Sequence, residues 1–167
     1  MKDYSFFKQL ITSEIGGKNA AIHAYDGMVW KVRSGFLVLV FAGWSLMIKS
    51  VLEAGGLLDQ FMGYILIYAA FSVLLALAAF FIDRNYARRK FRVIHDLDLL
   101  TQEVSSIDFE KMPKEVEETL IGYLKISGDT DNRKYRTAPY QNEMMVSRVI
   151  YIAPNSIILI LLAYNYF

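Results

Sequence analysis

The stretch FMGYILIYAAFSVLLALAAFFI, residues 61–82, runs for 22 residues without a charge and is followed at once by DRNYARRKFR, residues 83–92. The hydrocarbon core of a bilayer is about 30 Å thick and takes about 20 helical residues, so this stretch predicts a spanning helix. The cations after it point the same way. Arg84, Arg88, Arg89, Lys90 and Arg92 are five positive charges in nine residues, a pattern that marks a cytoplasmic flank and an anionic headgroup contact worth about 1 kcal/mol per cation.

Two further apolar segments lie on either side. Residues 149–167 add 19 uncharged positions, interrupted by Pro154 and Asn155, and predict a C-terminal spanning helix. Residues 34–48, between Arg33 and Lys49, give only 15, short for a span at about 1.5 Å per residue. Outward snorkelling of Lys49, with Val51 and Leu52 completing the turn, extends the segment to 34–52. Lys49 and Glu53 are spaced i, i+4 and can pair at that boundary.

The whole chain fits this picture. Of its 167 residues 54% are hydrophobic, more than a soluble domain of that length normally carries. A net charge of +1 gives no argument for a nucleic-acid binder, and no direct nucleic-acid partner is expected. The absence of cysteine excludes disulfides, thiolate metal sites and a cysteine nucleophile. Residues 1–33 lack the short apolar core of a cleaved signal peptide, so the first span is expected to stay as an anchor. Five of the 18 cations precede the first span, one lies between the first two, and twelve fall in 84–148. This places the N-terminus and 83–148 in the cytoplasm and the C-terminus outside.

Steps of three and four through the second span give Ala69, Ser72, Ala76, Ala79, Asp83, Tyr86, Lys90, Val93, Leu97, Leu100 and Val104. The stripe is small inside the bilayer, as close helix contact requires there, and apolar again from Val93 to Val104. One helix over about 61–104, roughly 66 Å long, is expected, with Ala69, Ser72, Ala76, Ala79, Val93, Leu97, Leu100 and Val104 as a packing or oligomer seam. On the first helix the matching stripe is Ala21, Tyr25, Met28, Val32, Gly35, Leu39, Ala42 and Leu46, with Asn19 after Gly16 and Gly17 as its N-cap. Together they form a transmembrane hairpin, 18–104, with a coiled cytoplasmic extension.

Residues 1–17, with Tyr4, Phe7, Leu10, Ile11 and Ile15 on one side, read as a separate amphipathic helix. In the cytoplasmic segment 105–148, Pro113 opens a helix to about Ile126. Asp129 to Asn132 read as a turn, and Lys134 to Asn142 as irregular chain around Pro139. Trp30 and Trp44 read as interfacial anchors at opposite ends of the first span, with Tyr164, Tyr166 and Phe167 at the outer end of the third.

Chemistry-bearing constellations are few. His23 and His95 fall at similar depth near Asp26, Asp96 and Asp98, a combination that could hold a metal, but both stand two positions off the stripes and are expected at the surface. Asp129 and Asp131 in GDTDN lack the glycine and glutamate of a calcium loop. Arg89 and His95 form R-x5-H, which resembles the Arg-to-His spacing of the HEPN ribonucleases; the charge cluster already accounts for Arg89. No catalytic, cofactor-binding or metal-ligating residue is assigned, and no cofactor is expected. Asn155 is the intramembrane polar residue singled out, since a polar group in lipid must find a partner or line a path.

A short cytoplasmic helix, WKVR (30–33) entering a span, a tight hairpin and RNYARRKFR (84–92) opening a long helix resemble the SLATT class of two-span bacterial effectors over residues 1–104. The third apolar segment is additional to that pattern. The resemblance implies a hairpin that assembles into a membrane-perturbing oligomer when an associated sensor fires. The expected protein is therefore an all-α integral membrane protein, a non-enzymatic homo-oligomeric pore-forming effector in antiviral defence. Its partners would be membrane lipid, copies of itself and a soluble cytoplasmic sensor or effector. The alternative is a membrane-anchoring scaffold that docks a soluble partner through 83–148, and the third reading is a HEPN-like ribonuclease.

Overall fold

The computed structural model describes residues 5–55, 58–105 and 135–166. The expected helix from Pro113 and the turn at Asp129 lie outside the described residues. What is described is helical, without a strand: α1 is Ser5–Glu53, α2 is Leu58–Ser105 and α3 is Ala138–Tyr166. All three are long and apolar enough to cross a membrane.

Three local expectations are corrected. α1 is one helix of 49 residues that passes straight through Gly16 and Gly17, so no separate helix ends there and Asn19 caps nothing. Glycine costs about 1 kcal/mol in a helix interior. Here Glu14 and Lys18 bridge the pair from either side at 3.5 Å, and Ile11 and Lys18 are buried on the same face. α3 begins at Ala138, well before residue 149. Pro139 sits in its first turn, where the missing N–H has no helical acceptor to satisfy, and the Gln141 amide donates to the Thr137 carbonyl at 3.1 Å. At the other end of the hairpin, Gly55 takes φ +73°, the left-handed conformation that closes a helix C-terminus and that glycine adopts without cost.

The chain divides into two compact units. In the unit formed by Met28–Asn85 and Asn142–Phe167, each helix buries one stripe at three- and four-residue spacing. α1 buries Val29, Arg33, Phe36, Val40 and Trp44; α2 buries Ile65, Ala69, Ser72, Ala76, Ala79 and Asp83; α3 buries Met144, Ser147, Tyr151 and Asn155. Large side chains from α1 and α3 thus face the small ones of α2. The Phe36 and Tyr151 rings meet edge-on at 4.9 Å, and Trp44 stands edge-on to Tyr68 at 5.2 Å.

The α2 stripe is where the sequence placed it, whereas that of α1 is not. Gly35, Leu39, Ala42 and Leu46 are exposed, and the buried face lies one position further along the helix. Trp44 is accordingly a core residue, while Trp30 is 70% exposed. The outer faces of this unit carry large apolar side chains, among them Val38, Phe41, Ile67, Leu74, Phe81 and Ile160, each more than half exposed.

In the unit formed by Met1–Gly27 and Tyr86–Gln141, the buried residues include Ile11, Ala87, Phe91, Leu100, Tyr135 and Tyr140. Tyr140 stands edge-on to both Phe91 (5.5 Å) and Tyr135 (5.3 Å). Arg92 lies over the Tyr135 ring at 5.3 Å. Lys90 donates to Asp26 at 2.6 Å, joining α1 to α2.

Candidate functional site

A cation buried in an apolar core must meet an anion, because an unpaired charge there costs several kcal/mol. Arg33 ends the polar approach to the first apolar segment, and Asp83 follows the last apolar residue of the second. Both stand on the buried stripes, and Asp83 is fully buried. Arg33 Nε donates to Asp83 Oδ2 at 2.8 Å, and its Nη2 reaches Asp83 Oδ1 at 3.3 Å. The same Nη2 donates to Glu143 Oε1 at 2.5 Å and to Ser147 Oγ at 2.8 Å, both on α3. Ser147 in turn donates to the Glu143 carbonyl at 3.0 Å.

One guanidinium therefore ties three helices together. Arginine suits the role because its rigid fork offers several donors and stays charged at any accessible pH. The tie carries two carboxylates to one cation. Tyr151, one turn beyond Ser147 on α3, has a buried hydroxyl that makes no hydrogen bond among the described residues. The assembly is suited to fixing helix depth and rotation at one end of the bundle.

Two further polar contacts lie within the apolar part. Asn155 Oδ1 accepts from Ser72 Oγ at 2.7 Å, and Asn155 Nδ2 donates to the Tyr151 carbonyl at 3.2 Å. Asn155, the polar residue the sequence singled out, thus makes a helix-to-helix hydrogen bond beside Pro154, where α3 runs on without a break. Tyr68 hydroxyl donates to the Leu39 carbonyl at 2.8 Å, with Val40 at 3.3 Å. Its ring covers Gly43 so closely that a Cβ there would overlap it.

The other sequence candidates are dispersed. Ala69, Ser72, Ala76 and Ala79 are buried against the chain's own helices, while in the second unit Leu100 is fully buried and Val93, Leu97 and Val104 are half-buried. Of the five headgroup cations, Arg84, Arg88 and Arg89 are exposed. Lys90 is spent on Asp26 and Arg92 stacks on Tyr135. His23 is exposed and His95 half-buried. The described residues contain no group of three or more metal-ligating side chains. The Arg33 tie escaped the sequence reading, although one signal was present: Asp83 stands on the α2 stripe, and a carboxylate on a buried stripe demands a cation.

No protein-family model, curated protein or solved structure matches this chain.

Proposed function

We propose that this chain is a three-span inner-membrane protein, with its N-terminus and residues 83–148 in the cytoplasm, that works by assembling copies of itself rather than by catalysis. The membrane reading is supported by the apolar outer faces of α1, α2 and α3. Exposed as they are, they would form a patch far larger than water tolerates on a monomer. The observation that carries self-assembly is the uncovered face of α1. On it Gly35 and Ala42 are small between the exposed Leu39 and Leu46, and a Cβ at Gly35 would meet nothing within 4 Å. Small residues let a second helix approach closely where lipid gives no hydrophobic drive.

Copies meeting on this face would make a membrane-perturbing oligomer of the kind the SLATT resemblance implies. Phe36, Val40, Trp44, Ile65 and Tyr151 fill the interior of the bundle, so any conducting path would run between copies. The decisive measurement is particle mass in nanodiscs together with membrane potential on expression. Wild type is expected to be oligomeric and depolarising, and Gly35→Leu with Ala42→Leu to be monomeric and silent. A monomeric wild type that leaves the potential intact overturns the proposal.

A second reading, a membrane anchor that docks a soluble partner through 83–148, is favoured by one observation. The α2 stripe is consumed within the chain, which makes the bundle self-sufficient. Co-purification of one stoichiometric soluble partner, without loss of potential when the chain is expressed alone, would select it.

A further inference from the structure

A groove of about 420 Å³ runs between α2 and α3, within the usual range of ligand sites. Its walls are Val73, Leu77 and Phe80 on one side and Ile152 and Leu159 on the other, with Arg148 at one end. Asn155 and Ser156 line it too; both polar atoms of the Asn155 amide are engaged with Ser72 and the Tyr151 carbonyl, which leaves the Ser156 hydroxyl as a single small polar group in a wall that is otherwise apolar away from Arg148. The groove therefore favours hydrocarbon.

Charge is confined to one end. Arg84 follows Phe80 by one turn on the stripe that carries Val73, Leu77 and Phe80, so it stands at the same end as Arg148. Both arginines are exposed, and neither makes an ion pair among the described residues. Beyond them, residues 61–82 of α2 and 149–166 of α3 carry no charge. From Arg148 to Leu159 the groove follows α3 for about 16 Å at 1.5 Å per residue, close to half of the roughly 30 Å hydrocarbon core.

We infer that this groove holds one acyl chain of an anionic phospholipid from the cytoplasmic leaflet, with the phosphate between Arg84 and Arg148. The inference rests on the membrane reading above. Length, wall chemistry and charge at one end match such a lipid, and basic pockets between spanning helices on the cytoplasmic side bind anionic headgroups.

The test uses the full chain in nanodiscs of equal phosphatidylglycerol and phosphatidylcholine, released into mild detergent for native mass spectrometry. Wild type is expected to retain one phosphatidylglycerol per chain in at least tenfold preference to phosphatidylcholine. Arg84→Ala with Arg148→Ala should abolish the preference, and Ile152→Trp, which fills the groove from an exposed position, should lower retention of either lipid tenfold. Arg89→Ala, on the opposite side of α2, should change neither. Equal retention of the two lipids by wild type, or unchanged retention in the double arginine variant, overturns the proposal. So does a dimer that dissociates on Ile152→Trp, since the groove would then hold a second copy. Release of the chain from membranes by carbonate would instead overturn the membrane reading itself.

Discussion

Arg33 and Asp83, fifty residues apart in the chain, meet through two nitrogen–oxygen contacts of 2.8 and 3.3 Å, and the same guanidinium holds Glu143 and Ser147 of α3. The pair locks two long helices at one depth and leaves Arg33 a donor with which to capture the third. Removing one member of a buried pair strands the other, whereas removing the whole set does not.

Arg33→Ala is therefore expected to destabilise the bundle by about 3–5 kcal/mol, read by detergent-induced unfolding in micelles. Arg33→Lys should recover little, since an ammonium cannot reproduce the fork. The triple variant Arg33→Met, Asp83→Leu, Glu143→Met should regain most of the loss. A loss below 1 kcal/mol in the alanine variant would mean that the tie contributes little.

Gly43 and Tyr68 should behave as a coupled pair. Gly43→Ala places a methyl where the Tyr68 ring lies and should lower the melting temperature, although alanine is the better helix former. In a Tyr68→Ala background the same substitution should be neutral or stabilising. Tyr68→Phe alone should cost about 1 kcal/mol for the lost hydrogen bond to Leu39. Additive effects in the double variant would refute the close approach.

Ser72→Ala and Asn155→Ala each break the hydrogen bond between α2 and α3. Each should cost about 0.6–1.7 kcal/mol, the range measured for such bonds in membrane bundles. The double variant should cost less than the sum. Membrane potential is the control readout: Asn155→Ala should leave it as in wild type, because the side chain makes a packing contact.

The Lys90 and Asp26 pair is half in solvent, with Asp26 49% exposed, so its contribution should be at most about 1 kcal/mol and sensitive to salt. Asp26→Lys and Lys90→Glu should each speed amide exchange in residues 86–105 at low salt, and together they should restore protection. Equal exchange in all three variants at low salt would show that the pair holds nothing.

How much the sequence revealed depends on where polarity contrast exists. The α2 stripe from Ala69 to Asp83 was legible because its small residues share one helical register, whereas past Asp83 Ala87 and Phe91 are buried one position off the expected Tyr86 and Lys90. On α1 the contrast vanishes inside the apolar segment. Every face of 34–48 is apolar, so hydropathy cannot choose between Gly35 with Ala42 and Phe36 with Val40, and side-chain size decides instead. The bulky residues of α1 fill the space left by the alanines of α2. Pro139 and Pro154 were read as breaks, yet one sits where no amide is needed and α3 runs on through the other.

What the sequence by itself determined is the number of apolar segments, their lengths and the charge on either side of them, because burial in hydrocarbon depends on composition and length alone. Only the tertiary structure decided which faces meet. Arg33, Asp83 and Glu143 look like three ordinary flanking charges along the chain, and they become one buried tie only when three helices bring them within 3.3 Å. A charge at the end of a span can face water, a headgroup or another charge. That choice is fixed by helix rotation, which the packing of Phe36, Trp44 and Tyr151 against the small residues of α2 sets.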